Sequence, residues 1–391
     1  MKSEPRIAFV TDALPSIGGG EKVLFAALEA FPQADIFTLI YNKKVFGNTP
    51  LADREIKTSS LNNLPFAHNH HRFFLPLMPA AIEQFDLRAY DLIVSFNYAV
   101  ANGVQNTHDA RHISYTHTPL RYAWTDINLD GTHNRQNPIL ETYMRKFREW
   151  DKKAASRVHA IATNSLAVSQ RIRLAYEREA SVIYPPVEVE RFRPSPHREG
   201  YFITVSRLVA HKRIDVLVRA FSLLNLPLLI IGEGPELPRL KSLAKPNIQF
   251  LGFQPDETVA ALLGKARAFV SAAEEDFGIA IVEAQAAGCP VIVGDWTAMP
   301  ELCFSGWKVD KREAKPFWNS AEVFQYYANP EAIYERLEAA YRMRGNQDYR
   351  KRARQGALAY DADKVTEKYW KPVLAEIEES LQERVEIEAV A

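Results

Sequence analysis

Short apolar runs alternate with amphipathic stretches along most of the chain. Runs of strand length include residues 6–11, 90–95 and 228–231. After the first of them, apolar side chains recur at helical spacing, at Val23, Leu24, Ala27, Leu28 and Phe31. Alternation of this kind predicts an α/β fold with parallel, doubly wound sheets that carry helices on both faces.

A proline-rich, polar segment, residues 185–200, divides the alternation into two halves. Such composition is typical of a linker, and the strand–helix pattern starts again just after it. We therefore predict two Rossmann-like domains. Residues 1–186 form the first domain, which a C-terminal helix within 363–391 completes, and residues 187–362 form the second.

Length and composition narrow the class of protein. The 391 residues suit two domains better than one core, and the 48 basic residues equal the 48 acidic ones, so no net field favours nucleic acid. Two cysteines, Cys289 and Cys303, are too few for a disulfide framework and fit a reducing compartment. The sequence shows neither a signal-peptide pattern nor a bilayer-spanning apolar run. We expect a cytoplasmic protein, with peripheral contact at the inner face of a membrane.

Histidines, an arginine and aromatic residues are mixed with prolines in residues 66–79. His68, His70 and His71 lack the i, i+4 spacing of a helical zinc site and have no neighbouring thiols or carboxylates, which disfavours a metal site. An aromatic, basic loop at an acceptor site or a membrane surface is favoured over metal binding. An ordinary packed loop is the commonest outcome for such a segment.

A distinctive chemical signal lies in residues 273–292, where a strand end passes through an acidic loop and a glycine into an alanine-rich helix. Free backbone N–H groups and the helix dipole make such a junction an anion site. Glu275 and Glu283, separated by seven residues, would place carboxylates beside it. Carboxylates there suit the hydroxyl groups of a sugar, although an acidic loop in an ordinary βαβ unit is the plainer alternative.

Three further loops follow predicted strands. Residues 18–20, all glycine, precede a helix and allow a ligand to approach the backbone, unless they only form the turn. His117 comes just after a strand at residues 111–115, where α/β folds bind ligands, and a loop histidine without chemistry is the even alternative. Residues 207–213 form a basic loop, for which a solvated loop is the alternative.

Together these motifs resemble the retaining glycosyltransferases of family 4, which have the GT-B architecture of two facing Rossmann-like domains. The similarity covers most of residues 6–295. It is carried by residues 18–23, 115–124, 182–187, 206–213 and 275–283. The sequence His-Thr-Pro-x-Arg-Tyr-x-Trp from His117, with residues 82–86, is similar to the branch that builds O-antigens and other cell-surface polysaccharides, in which GDP-mannose is a common donor.

The resemblance implies a catalytic role for four residues. Arg207 and Lys212 would neutralise the donor diphosphate as it departs. Glu275 would bind hydroxyl groups of the donor sugar and balance its developing positive charge. His117 would contact the donor sugar from the opposite domain.

The implied donor site extends to the glycine loop and to the helix that follows the acidic loop. The glycines would approach the diphosphate, the helix start would hold a phosphate through its backbone, and the second glutamate would bind the ribose diol. The donor-binding residues are thus Gly19, Gly20, Phe277, Gly278, Ile279 and Glu283. The residues assigned to the acceptor side are Arg121, Tyr122, Trp124 and Tyr98.

The resemblance also implies transfer without a metal or another cofactor, since the arginine and the lysine stabilise the leaving group. The departing phosphate would itself accept the acceptor's proton in a front-face, retaining reaction. Catalysis would then consist mostly of positioning and charge stabilisation. The expected partners are a nucleotide-diphosphate sugar as co-substrate and a glycan or lipid-linked acceptor.

Three segments depart from the family. Residues 294–307 replace a glycine-rich loop close to the expected nucleotide, and residues 311–327 form an insert. In residues 95–103, Tyr98 and Asn102 stand where relatives carry histidine and lysine. These differences affect the recognition of the base and of the donor or acceptor.

Three other hypotheses remain open. The donor could be a UDP-sugar, or the protein could be another GT-B enzyme, such as a phosphorylase or an epimerase. It could also be a sugar-binding protein that closes without chemistry. A phosphorylase would need a lysine for pyridoxal phosphate, for which the sequence shows no site, and the basic and acidic loop residues favour chemistry over binding alone.

Overall fold

The chain divides into two compact units, with the boundary between Pro186 and Val187. The first unit comprises the described residues up to 186 and those from 363 onward, and the second comprises those from 187 to 362. Each unit is built on one parallel β-sheet. The computed structural model describes residues 5–105, 110–124, 138–309, 347–365 and 367–368.

The first unit contains a parallel sheet of seven strands with short and long helices between them. Its strands are β1 (Ile7–Thr11), β2 (Asp35–Thr38), β3 (Ile56–Thr58), β4 (Leu92–Asn97), β5 (Arg111–Thr116), β6 (Ala160–Thr163) and β7 (Ser181–Val182). They are ordered β3-β2-β1-β4-β5-β6-β7. The helices are α1 (Gly19–Ala30), α2 (Ala67–His70), α3 (Met78–Ile82), α4 (Arg121–Trp124), α5 (Pro138–Ser156) and α6 (Leu166–Tyr176).

The second unit contains a parallel sheet of six strands in the order β10-β9-β8-β11-β12-β13. These strands are β8 (Phe202–Val205), β9 (Leu228–Ile231), β10 (Ile248–Gly252), β11 (Phe269–Ser271), β12 (Val291–Gly294) and β13 (Gly306–Val309). The helices are α7 (Ile214–Leu224), α8 (Leu237–Leu243), α9 (Asp256–Lys265), α10 (Ile279–Ala286), α11 (Met299–Leu302) and α12 (Gln347–Ala357). The next helix, α13 (Ala362–Val365), belongs to the first unit from residue 363 onward.

The central strands are apolar along their length because both faces of each sheet are covered. All six residues of β4 and all four of β12 are buried. This is the pattern of a parallel strand between two layers of helices. In the first unit, the ring of Phe9 on β1 packs edge-on against Phe96 on β4, with the centroids 5.3 Å apart.

Each sheet reverses its winding direction once, between β1 and β4 in the first and between β8 and β11 in the second. In open α/β sheets, the carboxyl ends of the strands at this reversal form the crevice that binds ligands. The loops that leave these ends are residues 12–18, 98–100, 206–213 and 272–278. Most of the predicted site residues lie in these loops or directly beside them.

The predicted α/β class with two doubly wound sheets is confirmed. Sequence analysis missed β3 and β13, two short edge strands. All residues of β3 are half-buried, so it has neither the apolar run nor the alternation that predicts a strand. The predicted insert at residues 311–327 and the predicted helix beyond residue 368 lie outside the described residues.

Hydropathy adds one finding about membranes. Over the part of the chain that the structure describes, no helix combines the length and the apolar character needed to span a bilayer.

Candidate active site

The basic loop of the second unit, residues 206–213, is shaped by the loop that follows β9. The Leu208 amide donates to the Glu233 carbonyl at 2.8 Å. Gly232 has a φ of 128°, and a Cβ there would lie 2.0 Å from the Ser206 carbonyl oxygen. Only glycine permits this conformation at so close an approach. Gly232, in the loop after β9, therefore fixes the path of the basic loop.

Lys212, near the end of this basic loop, forms an ion pair with Glu275 of the acidic loop. It closes a 3₁₀ turn, and Arg213 adopts a left-handed conformation, with a φ of 50°, before α7 begins. The Lys212 Nζ lies 2.6 Å from both carboxylate oxygens of Glu275. Their side chains are 16% and 18% exposed, so a ligand can still reach the pair. Arg207, at the start of the loop, is exposed.

The indole of Trp296 is hydrogen-bonded to the backbone of the acidic loop. Its Nε1 donates to the Ala273 carbonyl at 3.2 Å, and the Ala298 amide donates to the Glu275 carbonyl at 3.3 Å. The ring covers Gly294, where a Cβ would come within 2.3 Å of it. The divergent segment after β12 therefore holds the backbone that carries Glu275. The segment is divergent in sequence, and no motif in it predicts this contact.

The predicted anion site lies at the start of α10. Gly278 has a φ of 103° at the cap position, and its hypothetical Cβ would lie 3.4 Å from the Glu275 Cγ. A glycine cannot cap the helix with a side chain, so the first amides of α10 receive no side-chain acceptor from the cap position. Phe277 is buried, with its ring 5.8 Å from that of Tyr360. Further along the helix, the predicted second glutamate, at position 283, is half-buried.

Sequence analysis missed Gln285, which is fully buried on α10. Its amide nitrogen donates to the Leu302 carbonyl at 2.6 Å and to the Ile281 carbonyl at 3.2 Å. Its amide oxygen accepts from the backbone amides of Phe304 and Ser305 at 2.9 and 3.0 Å. The side chain thus ties the helix of the anion site to the loop before β13. A polar residue at a core position of an alanine-rich helix was the signal available.

In the first unit, His117 lies against the glycine loop. Its amide donates to the Asn97 carbonyl at 2.7 Å, and the Asn164 Nδ2 donates to its carbonyl at 3.0 Å. These bonds hold its backbone between the ends of β4 and β6. A Cβ at Gly20 would lie 3.5 Å from the imidazole, so the ring packs on the first turn of α1, which begins at Gly19.

Tyr98 belongs to a turn that is built on a buried carboxylate. Asp12 accepts the backbone amides of residues 98–101 at distances between 2.5 and 3.0 Å. Burial raises the pKa of Asp12 to about 6, and these four amides act in the opposite direction. The Tyr98 hydroxyl donates to the Ala13 carbonyl at 2.9 Å, so it stabilises the loop after β1.

Trp124 is anchored by α5 and α6. Its Nε1 donates to the Asp151 Oδ2 at 2.7 Å, and the Tyr176 hydroxyl donates to the same oxygen at 3.0 Å. The two rings meet edge-on with centroids 5.9 Å apart. Helix α4, which also carries Arg121 and Tyr122, is therefore fixed through its last residue.

Asp151 makes the stability of the first unit depend on pH. Burial raises its pKa to about 7 from 3.8, and its Oδ1 has no hydrogen-bond partner among the described residues. The folded state then keeps a proton that the unfolded state has lost. Stability is therefore expected to fall by up to ~1.4 kcal/mol per pH unit between pH ~4 and ~7. Above pH ~7, Asp151 is ionised in both the folded and the unfolded state, so the loss of stability is complete and no longer changes with pH.

Asp151→Asn removes this titration and keeps an acceptor for the indole and the phenol. We expect its unfolding free energy to rise relative to that of the wild type as the pH increases through the window. Urea unfolding at a series of pH values measures the difference in unfolding free energy. Asp12 titrates in both proteins, so its contribution cancels from that difference. Parallel curves for the two proteins would contradict the assignment.

The histidines of residues 66–79 lie away from these two arrangements in the sequence. His68 and His70 are exposed on α2, and His71 is half-buried at the start of the next turn. Within the described ranges, no group of three or more His, Cys, Asp or Glu side chains is placed to hold a metal ion.

Two family models match consecutive parts of the chain. Glycosyltransferase Family 4 matches residues 17–191, and Glycosyl transferases group 1 matches residues 188–358. The junction of the two matches falls at the start of the predicted linker. Residues 17–191 are thus similar to the first of these families, and residues 188–358 are similar to the second.

Mannosyltransferases are among the curated relatives. O-antigen chain mannosyltransferase B of Escherichia coli is 32% identical over 117 residues, which are 27% of this chain and 31% of that protein. The GDP-mannose-dependent alpha-(1-6)-phosphatidylinositol monomannoside mannosyltransferase of Mycobacterium tuberculosis is 32% identical over 163 residues, 34% of this chain and 42% of that protein. The matches thus span less than half the length of these relatives.

Solved structures share the whole architecture. Anabaena Alr3699/HepE, in complex with UDP and glucose, matches with a TM-score of 0.65 and 18% identity, over 95% of this chain and 99% of that chain. Likeness at this level of identity shows the fold. The expected GT-B fold is confirmed.

Proposed function

We propose that the chain is a retaining glycosyltransferase that takes a sugar from a nucleotide-diphosphate donor. The observation that carries the proposal is the Lys212–Glu275 ion pair at the switch point of the second sheet, beside the start of α10. A cation, a carboxylate and helix amides are the groups that a sugar joined to a diphosphate requires. The similarity to the family 4 and group 1 domains supports the same activity.

The diphosphate develops negative charge as it leaves the sugar. Lys212 supplies a point charge, and Arg207 supplies a fork of donors from the start of the same loop. The first amides of α10, from Ile279, add partial positive charge that is already oriented. Charges fixed before the reaction stabilise the leaving group without reorganisation, and they act more strongly in a partly dry site than in water.

The same pair explains how the sugar is handled. Lys212 forms an ion pair with Glu275. A diphosphate that draws the ammonium group toward itself frees a carboxylate oxygen of Glu275 for the sugar hydroxyls and for the positive charge that develops on the sugar. The proposal also assigns Glu283 to the ribose diol, and His117 to the donor sugar.

The reaction is proposed to need neither a metal nor another cofactor. The side chains of the basic loop take the place of a divalent cation at the diphosphate, and the departing phosphate accepts the proton of the acceptor hydroxyl. Attack on the face from which the nucleotide leaves retains the configuration of the sugar. The protein then contributes mainly positioning and charge stabilisation.

GDP-mannose is the proposed donor, and a lipid-linked or polysaccharide glycan is the proposed acceptor. The names of the two mannosyltransferase relatives support this choice. Arg121 and the ring face of Trp124 are assigned to the acceptor, since the indole nitrogen is committed to Asp151. We place the reaction in the cytoplasm.

The experiment that tests this function measures nucleotide release from GDP-mannose and from a panel of UDP-sugars, with and without a lipid-linked acceptor. We expect acceptor-dependent release of GDP that is unaffected by EDTA, and a product with the donor's anomeric configuration by NMR. Release of nucleotide from UDP-sugars but not from GDP-mannose would show that the donor is a UDP-sugar. The absence of release from every donor would overturn the proposed activity.

A further inference from the structure

The turn between β12 and α11 contains a threonine in an unusual backbone conformation. Thr297 has a φ of 55°, which lies in the left-handed region. Four other non-glycine residues among those that the structure describes have a positive φ, and none of the four is β-branched. A branched Cβ collides with its own backbone in this region, so glycine or asparagine is the ordinary occupant. Threonine is therefore strained at this position.

Two of the other positive-φ residues have a plain structural explanation. Glu177 and Asn225 are the C-cap residues of α6 and α7. A left-handed residue is the common way to end a helix. Thr297 does not end a helix, since it lies two residues before α11 begins at Met299. Helix capping therefore does not account for its conformation.

The turn is joined to the acidic loop on both sides of Thr297. The indole of the preceding residue, Trp296, donates to the Ala273 carbonyl at 3.2 Å. The amide of the following residue, Ala298, donates to the Glu275 carbonyl at 3.3 Å. Both flanking residues are buried. Thr297 is therefore held one residue away from the backbone of Glu275, on the side of the ion pair with Lys212.

The side chain of Thr297 is partly accessible and has a fixed orientation. It is half-buried, whereas both of its neighbours are buried. Its hydroxyl donates to the Trp296 carbonyl at 2.7 Å. Because the only proton of the hydroxyl is used in this bond, the methyl group is the part of the side chain that is left for a ligand.

The fold does not require a side chain at this position. The two hydrogen bonds to the acidic loop come from the indole of Trp296 and from the backbone of Ala298. Glycine at position 297 would allow the same φ without the collision. Strained residues that the surrounding structure keeps in place are concentrated at ligand sites. The strain therefore indicates a function for the threonine side chain itself.

We propose that Thr297 is a further residue of the donor-sugar subsite, with its methyl group packed against the sugar that Glu275 binds. The inference rests on the proposed function, which places the sugar at Glu275. The turn is hydrogen-bonded to the loop that carries Glu275, and the groups assigned to the phosphate and the ribose belong to α10. Thr297 therefore contacts the sugar and not the nucleotide. A methyl group that is already fixed makes this contact with little loss of conformational entropy.

The test compares the affinity for a nucleotide sugar with the affinity for its nucleotide alone, by isothermal titration calorimetry on the whole chain. The ligands are GDP-mannose with GDP and UDP-glucose with UDP, and the pair that the wild type binds is used for the variants. Thr297→Gly should bind the nucleotide sugar about fourfold more weakly or worse, the effect of one buried methyl group. It should bind the nucleotide like the wild type.

The melting temperature separates this contact from a structural role. Thr297→Gly should melt no lower than the wild type, because glycine removes the strain. Thr297→Ser keeps the hydroxyl and its bond to the Trp296 carbonyl and removes only the methyl group. It should therefore show the same selective loss of affinity for the nucleotide sugar.

Asn225→Gly is the matched control in the same unit. It also removes a side chain at a positive φ, 52°, but from an exposed position at the far end of the 11-residue helix α7, which starts after the basic loop. Both affinities should equal those of the wild type. A control that weakens the nucleotide sugar as much as Thr297→Gly would overturn the proposal.

Three results for Thr297 itself would also overturn it. These are an unchanged affinity of Thr297→Gly for the nucleotide sugar, an equal loss for the sugar and the free nucleotide, and wild-type affinity in Thr297→Ser. Each of them removes the sugar contact and leaves the proposed function in place, provided that the wild type binds the donor. A wild type that binds no nucleotide sugar removes the proposed function, and the contact with it.

Discussion

Lys212→Ala should lower the kcat of sugar transfer by about 10²- to 10³-fold, the usual cost of removing one oriented charge from a transition state. The ammonium group lies 2.6 Å from both oxygens of Glu275, on a loop whose path the neighbouring loop fixes. Its loss leaves the departing diphosphate with the exposed Arg207 and the α10 amides. Steady-state kinetics with GDP-mannose measure the effect.

Glu275→Gln separates charge from hydrogen bonding at the same site. The amide keeps an acceptor for sugar hydroxyls and loses the negative charge, so we expect a larger change in kcat than in KM. The two substitutions should also be non-additive, because each leaves the other member of the pair without its partner. Full additivity in the double-mutant cycle would contradict the coupling.

Lys265→Ala is the matched control for the lysine substitution. Lys265 pairs with Glu199 at 3.2 Å in the same unit, but this pair is largely exposed and lies outside the switch-point loops. Its removal should leave kcat unchanged. The control should unfold within about 1 kcal/mol of the wild type, since exposed ion pairs add little stability. Wild-type kcat in Lys212→Ala would exclude the role at the diphosphate.

The sequence was sufficient for the parts of the site that depend on local pattern. Strand–loop–helix alternation predicted both sheets, and the glycines and charged residues of the loops after the strands marked the switch points. Parallel topology then brings loops together that are distant in sequence, which is why Lys212 and Glu275, 63 positions apart, meet. The doubly wound order made that meeting predictable without coordinates.

The side-chain hydrogen bonds that hold the loops and helices of the site in place could not be predicted from local sequence pattern. The partners of Gln285, Trp296 and Asp151 are set by side-chain geometry and by which backbone groups remain unpaired after the sheets form. Trp296 lies in a divergent loop, so no family motif predicted the hydrogen bond from its indole to the Ala273 carbonyl. Asp151 looks like one charged residue among many on an amphipathic helix, and only burial shows otherwise.

Gln285→Met should destabilise the second unit by about 2–4 kcal/mol, the largest stability effect expected from a single residue near the site. Methionine fills a similar volume and removes all four hydrogen bonds of the buried amide. The Ser305 amide, in a buried residue, then loses the acceptor that Gln285 provides. Calorimetry on the whole chain resolves the transition of the affected unit.

Gln254→Met is the control that isolates this network. Gln254 donates a single hydrogen bond, to the Leu251 carbonyl at 2.7 Å, from a half-buried position. Its replacement should cost about 1 kcal/mol or less, because only one part-buried hydrogen bond is lost. Equal destabilisation by the two variants would show that Gln285 only fills space. A large difference would show that α10, with the proposed anion site at its start, is held in place through the amide of one buried glutamine.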